Sequence, residues 1–176
     1  RAQRGATKMG DDESREHTFS VMVDNEAGVL HRVVGLFSGR GYNIESLTVS
    51  EVEEEKHLSK ITIVTSGTPM TIEQIRAQLD RLVQVHNVAN LTSDGPSVQR
   101  EMALVKVAGS GEQRVESLRI ADIFRAHVVD STNSSFVFEV VGQTDKLDAF
   151  IELMKPIGLA DVSRTGVVAI ARGAET

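Results

Sequence analysis

The chain has 176 residues, of which 40% are hydrophobic and 25% charged, and it carries a formal net charge of −6 with a pI of about 5.4. This acidic balance argues against a nucleic-acid-binding protein, because a phosphate backbone selects a basic surface. Cysteine is absent, which excludes disulfides, thiolate ligands and a cysteine nucleophile, and no apolar run approaches the roughly 20 residues of a membrane span.

Residues 1–16 mix both signs of charge and contain almost no large apolar side chain. Such a segment cannot bury enough surface to order itself, so we expect a disordered, flexible tail. The segment also lacks the apolar stretch of a secretory signal. Since the absence of cysteine is compatible with a reducing compartment, we expect a cytoplasmic protein.

The first half of the chain predicts strand, helix, strand, strand, helix and strand in turn. Apolar and polar residues alternate over 17–24, which is typical of a strand with one buried face. Apolar residues recur at helical spacing over 27–39, and Gly41 is a natural C-terminal stop for that helix. Two further strands follow around Leu47 and Ile61, and residues 85–91 supply the last one.

Two local patterns in this half leave alternatives open. The acidic run Glu51-Val52-Glu53-Glu54-Glu55 could hold a metal ion, but a solvated hairpin end is the favoured interpretation. Thr71 and Gln74 have the spacing of a capping box and predict the start of the second helix. The preceding pair Thr68-Pro69 could begin that helix slightly earlier.

A polar cluster containing Gly and Pro, Ser93-Asp94-Gly95-Pro96-Ser97, predicts a domain boundary. We therefore divide the chain into a tail at 1–16, a first domain at 17–92, a linker at 93–98, a second domain at 99–172 and a short tail at 173–176. The second half repeats the element order of the first. Its strands are predicted at 102–107, 126–130, 136–141, 159–163 and 167–171, and its helices at 114–124 and 145–154, the latter ending before Pro156.

Four strands with two helices on one face form the ferredoxin-like arrangement. The predicted fold class is therefore α+β, with two ferredoxin-like βαββαβ domains in tandem. Each sheet of this kind has one face that no helix covers and two edge strands, and both features invite dimerisation.

A catalytic constellation cannot be found in the sequence. The five histidines are scattered and none forms an i, i+4 pair with another. The segment Gly109-Ser110-Gly111 lacks the length and the Lys-Ser/Thr ending of a phosphate loop, so a strand-to-helix turn is the better interpretation. The pair Ser134-Ser135 has no nearby base and is typical of a hairpin turn. We predict neither catalytic residues nor a metal site.

The most informative segment is the turn between the first strand and the first helix. Gly28 lies at the helix start, whose first N–H groups lack partners and favour a carboxylate. Asn43 opens the next strand, and its amide carbonyl can serve an ammonium group. A helix start that binds a carboxylate, next to an amide that binds an ammonium group, suits a free amino acid. By residue type alone, however, Asn25 and Gly28 are turn residues first.

Several segments give this turn a more specific meaning, because together they resemble one protein family. The longest and most specific is Arg40-Gly41-Tyr42-Asn43-Ile44-Glu45-Ser46-Leu47-Thr48-Val49, and the others lie at 24–30, 32–38, 58–63, 75–82, 100–106 and 163–168. They make the chain similar to the small, regulatory subunits of acetohydroxyacid synthase (acetolactate synthase), which open with an amino-acid-binding ACT domain. The resemblance implies that the first predicted domain is an ACT domain.

The resemblance also implies which residues bind an effector. The family's effector-binding positions fall on Asn25, Ala27, Gly28, Val29, Leu30, Asn43 and Ile44. In the family this pocket lies between the two subunits of a dimer, and Val29, Leu30 and Ile44 would offer an apolar wall to a branched side chain. Val29 stands where a smaller residue is common and His31 where a small polar one is common, which leaves the choice among valine, leucine and isoleucine open.

The function implied by the resemblance is that of a non-catalytic regulatory subunit. It would form a homodimer through the ACT domain, bind a catalytic large subunit, raise its activity and confer feedback inhibition by valine in branched-chain amino-acid biosynthesis. The thiamine diphosphate, magnesium and flavin of the reaction would belong to the catalytic partner, so no cofactor is expected in this chain. Two alternatives remain: a free-standing ACT-type amino-acid sensor of another enzyme or of transcription, and a small enzyme of ferredoxin-like fold.

Overall fold

A computed structural model of the protein describes residues 13–174. Within this range the chain divides into two compact units, one made of residues 13–97 and 170–174, the other spanning Val98–Ala169. Most of the predicted tail at 1–16 lies outside the described residues. Arg15 and Glu16, however, already belong to the first strand, so that strand begins two residues earlier than predicted.

The first unit has six elements in the order βαββαβ. They are β1 (Arg15–Asp24), α1 (Val29–Gly39), β2 (Asn43–Glu53), β3 (Leu58–Gly67), α2 (Pro69–Asp80) and β4 (Val85–Asn90). The four strands form one antiparallel sheet in the order β2-β3-β1-β4. The strand β2 is therefore at one edge of the sheet.

Apolar side chains from the sheet and from both helices make the core of this unit. Its fully or almost fully buried members are Phe19, Val21, Val23, Val29, Val33, Phe37, Ile61, Ile63, Ile72, Ile75, Leu79 and Val88. The alternation seen in β1 and the helical spacing seen in α1 thus place their apolar residues on one side of each element. Each such side chain contributes about 1.5–3 kcal/mol when it leaves water.

The second helix begins earlier than the capping-box pattern predicts. Thr68 is the N-cap, and its hydroxyl accepts a hydrogen bond from the Thr71 N–H at 3.3 Å. Pro69 occupies the first helical position, where its fixed φ suits a helix and its missing N–H costs nothing. The start at Thr71, with Gln74 closing a capping box, is therefore wrong, and the alternative earlier start at Thr68-Pro69 is confirmed. Gln74 instead accepts a hydrogen bond from the Tyr42 hydroxyl at 3.4 Å.

The second half repeats the arrangement with one additional strand. Its elements are β5 (Ser97–Ala108), α3 (Glu112–Ile123), β6 (His127–Ser131), β7 (Ser135–Gly142), α4 (Thr144–Gly158), β8 (Leu159–Arg164) and β9 (Val168–Ala171). The sheet order is β6-β7-β5-β8, with β9 pairing with β5. The strand order matches that of the first unit, so the predicted fold class of two tandem ferredoxin-like domains is confirmed.

Two boundaries in the second half differ from the prediction. The strand β5 starts at Ser97, so its first two residues lie in the segment predicted as the linker 93–98. The helix α4 continues through Pro156 to Gly158 rather than ending before the proline. Pro156 lies in the last turn of the helix and is exposed. Because proline has no N–H, the carbonyl of Glu152, which is also exposed, loses its helical hydrogen bond. Water can replace that hydrogen bond, so the proline is tolerated here.

Within the part of the chain that the structure describes, none of the helices is both long enough and apolar enough to cross a membrane.

Candidate functional site

The start of α1 is an uncapped helix N-terminus. Gly28 occupies the N-cap position with φ 86° and ψ −8°, a left-handed conformation that suits glycine. No side chain caps this end, and the first turn contains no acidic residue. The N–H groups of Leu30 and His31 have no hydrogen-bond acceptor among residues 13–174. These donors and the helix dipole together favour an anion at this position.

The helix α2 provides the contrast within the same unit. Its N-terminus is capped by the Thr68 hydroxyl, and Pro69 removes one of its free donors. An ordinary helix start therefore satisfies its donors internally. The open start of α1 is a local property of the turn before it, where a glycine stands in the place of a side chain with an oxygen.

The turn is anchored through its backbone on two sides. The Asp24 N–H donates to the Gln84 carbonyl at 2.9 Å, and the Asn25 N–H donates to the His57 carbonyl at 2.7 Å. The side chain of Asn25 is exposed and has no hydrogen-bond partner within the range 13–174. Its amide therefore remains available to a ligand beside the open helix start.

The apolar residues predicted at this end divide into two groups. Leu30 is 41% exposed and Ala27 is exposed, so both can contact a ligand above the turn. Val29 is only 5% exposed and belongs to the core. As the first residue of α1, it points into the unit, and its predicted contribution to the effector's apolar wall stays a prediction.

Asn43 and Ile44 lie at the opposite end of the sheet from the turn. Asn43 pairs with Ser66, whereas Asp24 pairs with Leu58 at the other end of β3. These two positions of β3 are eight residues apart, which corresponds to about 27 Å along a strand. Asn43 is exposed, and Ile44 is half-buried against the core. One chain therefore cannot bring Asn25 and Asn43 to a single small ligand.

The acidic segment at the end of β2 is a hairpin end. Glu51 and Glu53 are the last acidic residues of β2, and the turn that follows joins it to β3. The side chains from Glu51 to Glu55 are exposed, and Lys56 pairs with Glu53 at 2.7 Å. The interpretation as a solvated hairpin end is confirmed. Among residues 13–174 there is no group of three or more acidic or imidazole side chains that could hold a metal ion.

Sequence reasoning missed the residues that hold the turn in place. His57 supplies its carbonyl from a left-handed conformation, with φ 50°, although nothing in Lys56-His57 signals such a turn. His86 contacts the Asp24 carboxylate, with 2.5 Å between Nε2 and Oδ1. Both histidines are far from the turn in sequence, so only the sheet topology brings them there.

Comparisons with known proteins agree with this architecture. A family model described as the ACT domain of AHAS small subunits matches residues 19–87, and one described as the small subunit of acetolactate synthase matches residues 100–173. The molecule is thus a tandem α+β protein that opens with an ACT domain.

Relatives that match over most of the chain define its family more specifically. The chain is 45% identical to the probable acetolactate synthase small subunit of Archaeoglobus fulgidus, over 90% of this chain and 98% of that protein. It is 47% identical to the acetolactate synthase small subunit of Aquifex aeolicus, over 90% and 82% of the two chains. The crystal structure of the acetolactate synthase small subunit from Thermotoga maritima matches with a TM-score of 0.80 and 37% identity, over 92% and 99%. This chain belongs to the acetolactate synthase small-subunit family.

Proposed function

We propose that this chain is the non-catalytic regulatory subunit of an acetohydroxyacid synthase. In this role it binds the catalytic large subunit, raises its activity and confers feedback inhibition by valine. The family membership supports association with a catalytic subunit. The observation that carries the regulatory part is the uncapped start of α1 beside the unpartnered Asn25 amide.

The two ends of a free amino acid match the groups on this surface. The carboxylate accepts hydrogen bonds from the Leu30 and His31 N–H groups, where the helix dipole adds favourable potential. The ammonium donates to the carbonyl oxygen of an asparagine side chain. Ala27 and Leu30 supply apolar contact, which suits an aliphatic branched side chain more than a polar one.

A complete pocket requires two copies of the chain. The strand β2 is a sheet edge, and an edge strand can pair through its backbone with the same edge of a second copy. In such an antiparallel pairing, the beginning of one β2 lies beside the end of the other. The end of β2 at Glu53 faces Leu58, which faces Asp24. The second copy therefore delivers its Asn43 and Ile44 to the end of the sheet where Gly28 lies.

This arrangement provides a physical mechanism for feedback inhibition. An effector bound between two copies favours the dimer arrangement in which both halves of the pocket fit it, and the catalytic subunit senses that arrangement. Because coupling is reciprocal, binding of the catalytic subunit must change valine affinity by the same factor. The thiamine diphosphate, magnesium and flavin of the reaction stay with the catalytic partner.

A reconstitution assay tests the proposal. Acetolactate formation from pyruvate is measured for this chain alone, for the catalytic subunit alone and for the mixture, each with and without valine. We expect no activity from this chain alone, stimulation in the mixture and a decrease of the stimulated rate with valine. Turnover by the chain alone, or a mixture no faster than the catalytic subunit, would overturn the proposal. Specific co-purification with another enzyme or with DNA would favour the free-standing sensor.

A further inference from the structure

The strand β4 contains a bulge at His86. Along most of the β1–β4 ladder the pairing is regular, with Met22 opposite Asn87. The next pair is Val23 with Val85, so His86 is an extra residue with no opposite partner. A bulge of this kind redirects the side chain of the extra residue and often occurs beside functional sites.

The redirected imidazole contacts the base of the effector turn. His86 Nε2 lies 2.5 Å from Asp24 Oδ1, and a carboxylate can only accept, so Nε2 carries the proton. Asp24 directly precedes Asn25, and its own N–H is held by the Gln84 carbonyl. The start of β4 and the residue before it therefore hold Asp24 through both its side chain and its backbone.

We infer that His86 is a positioning residue for the effector: through Asp24 it fixes the turn that presents Asn25 and the open start of α1. This inference rests on the proposed function, because it concerns the same site. The pair restrains the turn in the geometry that a ligand needs.

The surroundings of His86 make Asp24 its principal electrostatic partner. His86 is the only titratable residue in β4. Among residues 13–174, the ion pair that involves His86 is the one with Asp24.

The expected consequence is that loss of the imidazole weakens the affinity for the effector. Both side chains are partly exposed, at 51% and 33%, which keeps the effect modest. We expect a change of about two- to fivefold in Kd.

Calorimetric titration of the full chain with L-valine tests the inference. The variants are His86→Ala, His86→Gln and, as a matched control on the same strand, Asn87→Ala. His86→Ala should weaken binding by about two- to fivefold. His86→Gln keeps a donor to Asp24, so it should bind better than His86→Ala. Asn87→Ala should behave as the unmodified chain does.

The readouts separate positioning from a general effect on stability. Both histidine variants should keep the melting temperature of the unmodified chain, because the side chain is half-exposed. If His86→Ala and the unmodified chain have the same Kd, the inference is wrong while the proposed function stands. If the unmodified chain binds no valine and its partner's activity does not respond to valine, the valine proposal itself has failed.

Discussion

Gly28 is the residue on which the open helix start depends. Its left-handed φ of 86° is one that glycine adopts without steric cost. A Cβ built at Gly28 would meet no atom within 4 Å, so the space beside it is open. A side chain at this position would therefore act on the ligand's space and on the local charge more than on the core.

The substitution Gly28→Asp should weaken valine inhibition while leaving stimulation of the catalytic subunit intact. The added carboxylate repels the effector's carboxylate and competes for the same N–H donors. Each effect is worth about 1 kcal/mol, so we expect at least a roughly tenfold higher valine concentration for half-inhibition. Inhibition curves of the reconstituted enzyme measure this.

Gly35→Asp is the matched control, because it adds the same charge to an exposed position of the same helix where a Cβ also meets nothing. Its valine response should be unchanged. The left-handed position costs Gly28→Asp about 1–2 kcal/mol of stability, which a melting curve will report separately. An unchanged inhibition curve for Gly28→Asp would place the effector elsewhere.

At the scale of elements, the junction between α4 and β8 leaves no room for a side chain at Gly158. Gly158 has a φ of 144°, and a Cβ there would lie 2.0 Å from the Ala108 carbonyl oxygen. Both the backbone conformation and the contact exclude a side chain. We expect Gly158→Ala to destabilise this unit by about 2–4 kcal/mol, as measured by urea unfolding.

Gly95 serves as a control that separates the effect of the backbone conformation from that of the contact with Ala108. Its φ is 145°, but a Cβ there would meet nothing within 4 Å. Gly95→Ala should therefore show the conformational cost alone, about 1–2 kcal/mol. Equal losses for the two variants would mean that the close approach to Ala108 contributes nothing.

The segment after β4 is held to α2 by an ion pair. Both guanidinium Nη atoms of Arg76 contact the Asp94 carboxylate at 3.0 Å, and Asp94 also accepts from the Asn90 N–H at 3.0 Å. The hydrogen bond from Arg76 lowers the pKa of Asp94, with a smaller opposing effect of burial. Residues 93–96 are therefore attached to the first unit through this pair.

This lowered pKa predicts a small, acid-sensitive part of the stability. Since the folded pKa lies below the unfolded one, the contribution is present above the ordinary carboxyl range and is lost as the pH falls through the folded value. Both side chains are about one-third exposed, so we expect less than about 1 kcal/mol. Urea unfolding should show a larger stability deficit of Asp94→Asn at neutral pH than at about pH 3. An equal deficit at both pH values would contradict this.

Periodicity predicted elements such as β1 and α1 well because each has one buried face. The alternation in β1 and the spacing in α1 follow directly from the core that Phe19 and Val33 enter. Boundaries were less predictable where one local contact decided them. The Thr68 cap displaced the predicted helix start, and an exposed position allowed α4 to continue through Pro156.

The site was only partly predictable, because its supports are distant in sequence. The resemblance predicted Asn25, Gly28 and Asn43 as effector-binding residues. It also predicted Val29, whose side chain the fold places in the core. His57 and His86 could not be found from sequence, since one acts through a backbone carbonyl and the other through a bulge. Interactions of this kind exist only once the sheet has formed its register.

At the scale of the whole molecule, the separation of the site's two halves is the central feature. Asn25 and Asn43 lie about 27 Å apart along the strand direction in one chain, so the proposed pocket needs a second copy. Edge strand β2 offers the surface for that pairing. Dimerisation and effector binding are then coupled, and valine should stabilise the dimer against dilution.

Mixing two variants tests this account most directly. Asn25→Ala and Asn43→Ala should each bind valine poorly, because each loses one side of every pocket. In a heterodimer of the two, one pocket contains both substitutions and the other contains neither. Random mixing should therefore restore about a quarter of the sites to normal affinity, as measured by calorimetry after native mass spectrometry has shown that heterodimers form. Heterodimers that recover no valine binding would place the site within a single chain and contradict the account.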